Sequence, residues 1–437
     1  MSMLKVSADG RSFVRDGKPF LYAADTAWSA PTNATMDEWR SYLRIRASQG
    51  FTAVQLNLLP QWDRSRPESD TGFGLAAAPF KRQGGRSDGP WDFASPNEAY
   101  FTRVDALVGE VRGQGLVPAL VIFWADYVAG NWCSRRNPGH EIPSGERDGL
   151  ARYLAGRYAR FDPIYIVSGD PDLDSAETSY FYLAALAAVK KAAPACLTCL
   201  HLCGNYSAIP PAILDSPNLD FYMYQSGHQA VQDHLRTLAA SYRSMLKRPI
   251  VNGEICYEGM GRVERPERFG AWDVRRAIWL SLLSGANAGF GYGAYGVWNW
   301  HRSGDESVWL DIFGPSPDFQ QGLTLPEATK TGLVSEIWRL LSLYEIEPLP
   351  PIPGEGEGVA FARLGGGRGW VAYADGPRLF AFPSEAEKGR QQVMRVRVYD
   401  FEAGTVSVPR IGVRADGGRH VDCGTCRRDV LLIMETE

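Results

Sequence analysis

The chain has 437 residues, 45% hydrophobic and 22% charged, ordinary globular values that exclude wholesale disorder and fibrous repeats. Lys and Arg number 46 against 50 Asp and Glu, a net charge of −4, which leaves no basic field for a polyphosphate backbone and makes nucleic acid a poor choice of partner. No apolar run reaches the ~18 residues that a membrane span needs, so no membrane partner is expected.

From residue 20 to about 344, short apolar runs alternate with helical stretches. The first strand is 20–24. A helix enters on Thr35-Met36-Asp37-Glu38, a capping-box pattern, with Trp39, Leu43 and Ala47 on one face. Gly50 closes it and 51–58 is the second strand. A long polar loop, 60–96, leads to a helix over 96–113 and a third strand over 116–124. A helix over 144–160 precedes the fourth strand, 163–168, and a helix over 177–193 precedes the fifth, 197–202. The sixth strand is 221–224, followed by a helix over 228–246. The seventh is 249–252, followed by a helix over 272–283, and the eighth is 288–292. Eight such units predict a parallel (β/α)₈ barrel over residues 1–344, with its chemistry at the C-terminal strand ends.

Near residue 348 the texture changes. Pro348-Leu349-Pro350-Pro351-Ile352-Pro353-Gly354 reads as a stiff linker. Runs of period-two alternation follow over 359–364, 370–374, 379–382, 395–401 and 430–434. Residues 345–437 are therefore expected to form a small antiparallel β-sandwich domain.

Two carboxylates stand where barrel chemistry would put them. Asp170 ends the fourth strand and Glu254 the seventh, each preceded by a glycine that lets the backbone turn and aim the side chain into the cleft. Glycoside hydrolysis needs such a pair, one group to protonate the leaving oxygen and one to attack the anomeric carbon or activate water. Capping of the next helix, or an ion pair on the rim, is the alternative for either residue. Other strand-end residues suit a hydroxyl-rich ligand: Asp25 and Trp28 after the first strand, Gln55 and Asn57 on one face of the second, and Trp124 ending the third. His201 sits in the fifth strand, Tyr224, Gln225 and His228 follow the sixth, Tyr257 follows Glu254, and Trp298 follows the eighth. Taken singly, each has a plainer reading as core, such as Trp124 as a plug. The 13 Trp, 19 Tyr and 19 Phe fit a sugar-stacking cleft and equally a large packed core.

Three signals are discounted. Gly291 to Gly296 matches G-x-G-x-x-G but opens no helix, so no dinucleotide cofactor is expected. Cys196, Cys199 and Cys203 lie on opposite faces of a strand, and no H-x-x-x-H pair exists, so no metal site is visible. Seven cysteines argue against a disulfide framework; Cys423 and Cys426 are read as reduced thiols, with a local loop disulfide as the alternative. The first ten residues lack the apolar stretch of a signal peptide, so the chain as given reads as cytoplasmic, or as periplasmic or secreted if a leader was removed.

The ordered set Asp25-Thr26-Ala27-Trp28, Tyr153 to Tyr158 leading into Ser168-Gly169-Asp170, Tyr224 to His228, Asn252-Gly253-Glu254 with Tyr257-Glu258, and Tyr292-Gly293 through Trp298-Asn299-Trp300 resembles the apiosidase-like glycoside hydrolases. These are barrel enzymes with a C-terminal β-domain of the type named for collagen binding. The resemblance covers about residues 13–302, and the tail more loosely. It implies a retaining exo-glycosidase with Asp170 as acid/base and Glu254 as nucleophile, acting on a carbohydrate with a terminal apiose-like, pentose or deoxy sugar. One departure is that many barrel glycosidases carry Asn-Glu where this chain has Gly169-Asp170, so a contact to the sugar 2-hydroxyl must come from elsewhere. The alternative is a non-catalytic carbohydrate-binding protein on a vestigial barrel. The oligomeric state is not legible.

Overall fold

Eight parallel strands close on one another in chain order: β1 Tyr22–Thr26, β2 Ala53–Asn57, β3 Val117–Trp124, β4 Ile164–Gly169, β5 Thr198–Gly204, β6 Tyr222–Gln225, β7 Ile250–Glu254 and β8 Gly289–Tyr292. Closure is made by β8 pairing in parallel with β1, Gly289 opposite Tyr22 and Tyr292 opposite Asp25. The computed structural model describes residues 3–65, 75–85, 90–263, 265–307, 309–351, 356–376, 379–381, 393–413, 419–424, 426 and 428–436. Every residue of β3, Val-Pro-Ala-Leu-Val-Ile-Phe-Trp, is buried, as expected for a parallel strand covered on both faces.

The larger crossover helices are α1 Met36–Ser48, α2 Glu98–Gly113, α3 Ser144–Tyr158, α4 Ala176–Ala192, α5 Leu235–Arg243 and α6 Ala271–Leu283. The capping box of α1 forms as the sequence predicts: Glu38 N–H donates to Thr35 Oγ1 at 3.3 Å and Thr35 N–H to Glu38 Oε2 at 2.8 Å. One helix boundary departs from the expectation. The helix after β6 begins at Leu235, not at 228. Gly227 takes a left-handed φ of 72°, and His228 is drawn inward by a hydrogen bond to Glu254. Three short antiparallel strands at 5–6, 13–15 and 18–20, not anticipated, form a small sheet at the barrel's N-terminal end, where Phe13 packs edge-on against Phe221.

In the C-terminal region the described residues form a six-stranded and a three-stranded antiparallel sheet. The presumed linker contributes to the first: Glu347–Pro348 pairs with Ala362–Arg363 as an edge strand, a position that tolerates proline. Residues 352–355 lie outside the described set. Period-two alternation divides the faces of the larger sheet. Val359, Phe361, Trp370, Ala372, Leu432 and Met434 pack with Phe380 and Val421 of the smaller sheet. Ala360, Ala362, Val371, Tyr373 and Leu431 join the core of the barrel. No helix among the described residues is long and apolar enough to cross a membrane.

Candidate active site

A cavity of about 310 Å³ opens at the C-terminal end of the barrel, lined by Asp170 and Glu254 together with Trp28, Trp124, Gln225, His228, Tyr257 and Trp298. β4 and β7 stand three strands apart around the ring, and their ends deliver the two carboxyls to one space. Gly169 and Gly253 do more than turn the chain. A Cβ at 169 would fall inside the Trp124 ring, and one at 253 inside the Met223 side chain. Asp170 itself holds φ at 64°, a left-handed conformation that Asp tolerates better than most residues and that concentrates at functional sites. Trp132 Nε1 donates to the Asp170 carbonyl at 2.7 Å and anchors this turn. Gly169→Ala is therefore expected to displace Trp124 and reduce kcat/KM at least tenfold (about 10-fold for a misplaced reacting group) in a protein that still folds. Tryptophan fluorescence and circular dichroism read the two parts separately.

Glu254 is nearly buried, and two imidazoles converge on it. His228 Nε2 lies 2.9 Å from Oε1 in hydrogen-bond geometry. His201 Nε2 lies 3.2 Å from Oε2, approaching at a poorer angle. Burial by itself would push the Glu254 carboxyl up, but these imidazoles favour the anion and hold it well below the usual carboxylate range. Asp170 moves the other way. Burial within the protein mass, then the charges of Glu254 and Asp63, raise it well above the ordinary value, although its side chain still reaches the cleft.

An aromatic floor supports the pair. Trp28 meets Trp124 edge-on at 5.4 Å and His201 at 5.8 Å, and Trp124 stacks on His201 at 6.3 Å. Trp28 Nε1 donates to Tyr257 Oη at 2.8 Å, and the Tyr257 ring lies 4.5 Å from that of His228. The discounted glycine run has its explanation here: a side chain at Gly293 would occupy the Tyr257 ring, and one at Gly291 the Gly253 carbonyl.

Other strand-end residues are placed elsewhere. Asp25 points outward from β1 to a buried ion pair with Arg46 at 2.5 Å and accepts from Tyr42 Oη at 2.8 Å. Tyr224 also points outward and stacks on Tyr242 of α5 at 5.0 Å. Gln55 lies inside the barrel below the cavity, accepting from Tyr22 Oη at 3.1 Å and donating to the Gly253 carbonyl at 2.9 Å. Asn57 donates to Gln61 Oε1 at 3.0 Å, so it reaches the cleft only through Gln61.

Several lining residues escaped sequence reasoning. The loop after β2 brings Gln61, Trp62 and Asp63, the loop after β3 brings Trp132, and the loop after β8 brings Trp309 and Phe313. Asp63 Oδ2 accepts from Trp309 Nε1 at 2.7 Å, tying two of these loops together. Burial and the Glu254 charge push the Asp63 carboxyl up to about 6, with the Trp309 hydrogen bond opposing. Aromatic and acidic content in the loops was the one available signal. Among the described residues, no group of three or more His, Cys, Asp or Glu is arranged to hold a metal ion.

The family model described as "Apiosidase-like, catalytic domain" matches residues 7–345. Among known structures, the fold is similar to one titled "Glycoside hydrolase", with TM-score 0.76 and 18% identity over 99% of this chain and 97% of that one. A glycoside hydrolase family 5 protein from Bacteroides vulgatus ATCC 8482 aligns with TM-score 0.77 and 18% identity, over 99% of this chain and 93% of that one. A family 5 mannosidase from Rhizomucor miehei aligns with TM-score 0.51 and 14% identity, over 79% of this chain and 99% of that one. No protein of curated function matches the sequence. With its catalytic-domain match spanning the whole barrel, the chain belongs to the apiosidase-like family and is a glycoside hydrolase.

Proposed function

We propose that the protein is a retaining exo-glycosidase that releases a terminal apiose-like, pentose or deoxy sugar, with Glu254 as nucleophile and Asp170 as general acid/base. The observation that carries this reading is the opposed environment of two carboxyls in one cavity. Glu254 is held as the anion by His201 and His228, and Asp170 is kept protonated by burial and by its acidic neighbours. That division of labour is what separates nucleophile from acid. Glu254 attacks the anomeric carbon while Asp170 gives its proton to the leaving oxygen. Asp170, now ionised, then takes a proton from the water that releases the sugar. The cavity volume of about 310 Å³ sits at the lower end of small-molecule sites, which suits a chain end better than a continuous polymer.

Turnover of aryl glycosides and plant-derived oligosaccharides, with ¹H NMR of the first anomer released, tests the reading. Retention of configuration is expected; first release of the opposite anomer sinks the nucleophile role. The pH profile follows from the same pair. Activity requires Glu254 ionised and Asp170 protonated. The first condition persists into acid because Glu254 is held low. The second extends above the ordinary carboxylate range because Asp170 is held high, and the rate falls on the alkaline side as that proton is lost. Both limbs belong to the coupled pair. Asp170→Asn should abolish the alkaline limb, and a residual rate that kept it would assign that limb to another group.

A further inference from the structure

We propose that the C-terminal sheets position the groups that hold Glu254, acting through two neighbouring arginines of α6, and that Arg276 and Asp375 are positioning residues for the reaction. This rests on the reading of Glu254 as the nucleophile. Arg275 and Arg276 are both buried on the outer side of the barrel, where a guanidinium must find acceptors for its fork of donors. Each faces two ways. Arg276 Nε donates to Asp375 Oδ2, beyond the strand Gly369–Ala374, at 2.8 Å, and its Nη1 donates to the Gln232 carbonyl at 2.8 Å. Gln232 Nε2 in turn donates to the carbonyls of Gly227 at 3.1 Å and Gln229 at 3.0 Å. The loop is thereby folded on itself around the residue that reaches Glu254, since Gly227 turns the chain and His228 Nε2 meets Glu254 Oε1 at 2.9 Å.

Arg275 makes the parallel connection. It binds Asp429 through two hydrogen bonds of 2.6 and 2.8 Å, and its Nη1 donates to Glu327 Oε2 at 2.8 Å. The Glu327 N–H donates to the Glu258 carboxylate at 3.1 Å, and Glu258 follows directly on Tyr257, which packs against His228. A domain that merely covered the barrel would need only the apolar contact already present, such as Phe401 against Trp279 at 5.6 Å. Two adjacent buried arginines, one bridging a tail carboxylate to the loop that carries His228 and the other bridging one to Glu327 beneath Glu258, specify the placement of these segments, a role buried ion pairs serve better than net stabilisation.

The test uses the full chain and a readout independent of any substrate: the imidazole NMR signals of His228, assigned by their loss in His228→Asn. Asp375→Asn is expected to move these signals while those of His301, held by Ser65 elsewhere in the barrel, stay in place. It should also lower kcat about tenfold with KM unchanged, and Asp375→Glu should restore part of the loss. Folded Asp375→Asn with His228 signals identical to the parent's overturns the proposal, as does a lower melting temperature as the sole change. Should Asp375→Asn fail to fold, Arg276→Lys carries the same measurement, because an ammonium cannot span both acceptors as the fork does. Turnover surviving in Glu254→Gln would sink the nucleophile reading separately, leaving the His228 shift to decide the positioning claim.

Discussion

Glu254→Gln is expected to reduce turnover about 10⁴-fold or more, with the fold intact and sugar binding retained. Glutamine fills the same space and keeps one oxygen to accept the His228 hydrogen bond, but it cannot form the glycosyl ester. Asp170→Asn is expected to cost about 10²–10⁴-fold on natural linkages, and much less on dinitrophenyl glycosides, whose leaving group departs without a proton. This difference in leaving-group dependence separates the two roles better than either rate does. Full activity in both variants on the same substrate would end the assignment. Binding without turnover in the parent would favour a carbohydrate-binding protein.

Asp429→Ala should be among the most destabilising single changes in the molecule. Its carboxylate is fully buried, accepts from Nε and Nη2 of Arg275, and accepts from Tyr373 Oη at 2.9 Å. Removing it leaves Arg275, 5% exposed at the side chain, with Glu327 as its remaining carboxylate partner, and breaking a buried pair from one side costs about 3–5 kcal/mol. Arg275→Met with Asp429→Leu removes that pair but leaves the buried Glu327 carboxylate without its cation, so it should recover only part of the loss, and adding Glu327→Gln should recover more. Urea unfolding monitored by tryptophan fluorescence measures each variant. By the same argument, a chain cut after residue 344 loses the Arg275 partner and exposes the core face that meets Ala362, Val371, Tyr373 and Leu431. We propose 344/345 as the domain boundary in sequence but not as a line along which the parts separate. A truncated barrel that melted like the full chain would refute the dependence.

The barrel was readable because each strand is a short apolar run between helix-capping and turn residues, and those signals are local. Asp170 and Glu254 were readable for the same reason, since the ends of β4 and β7 can be placed from sequence and barrel geometry brings them together. The two-faced alternation of the tail was equally plain. What could not be read is side. In a strand buried on both faces, as β1 and β6 are, apolar residues fill inner and outer positions alike, and alternation no longer tells in from out. Asp25 and Tyr224 therefore looked like cleft residues and in fact face helices.

Loops set the remaining limit. Trp62, Asp63 and Trp309 carry no periodicity that would announce them. His228 appeared to start a helix until its hydrogen bond to Glu254 was visible. The sequence by itself determined the fold class, the strand ends and the carboxyl pair, because these follow from nearest-neighbour preferences and the period of the chain. The tertiary structure alone decided which imidazole reaches Glu254 by a hydrogen bond, that Trp62, Trp132 and Trp309 wall the cavity, and that Arg275 reaches an aspartate 154 positions away. Those are properties of contacts between distant segments, and charge, burial and hydrogen bonding take their values only when the segments meet.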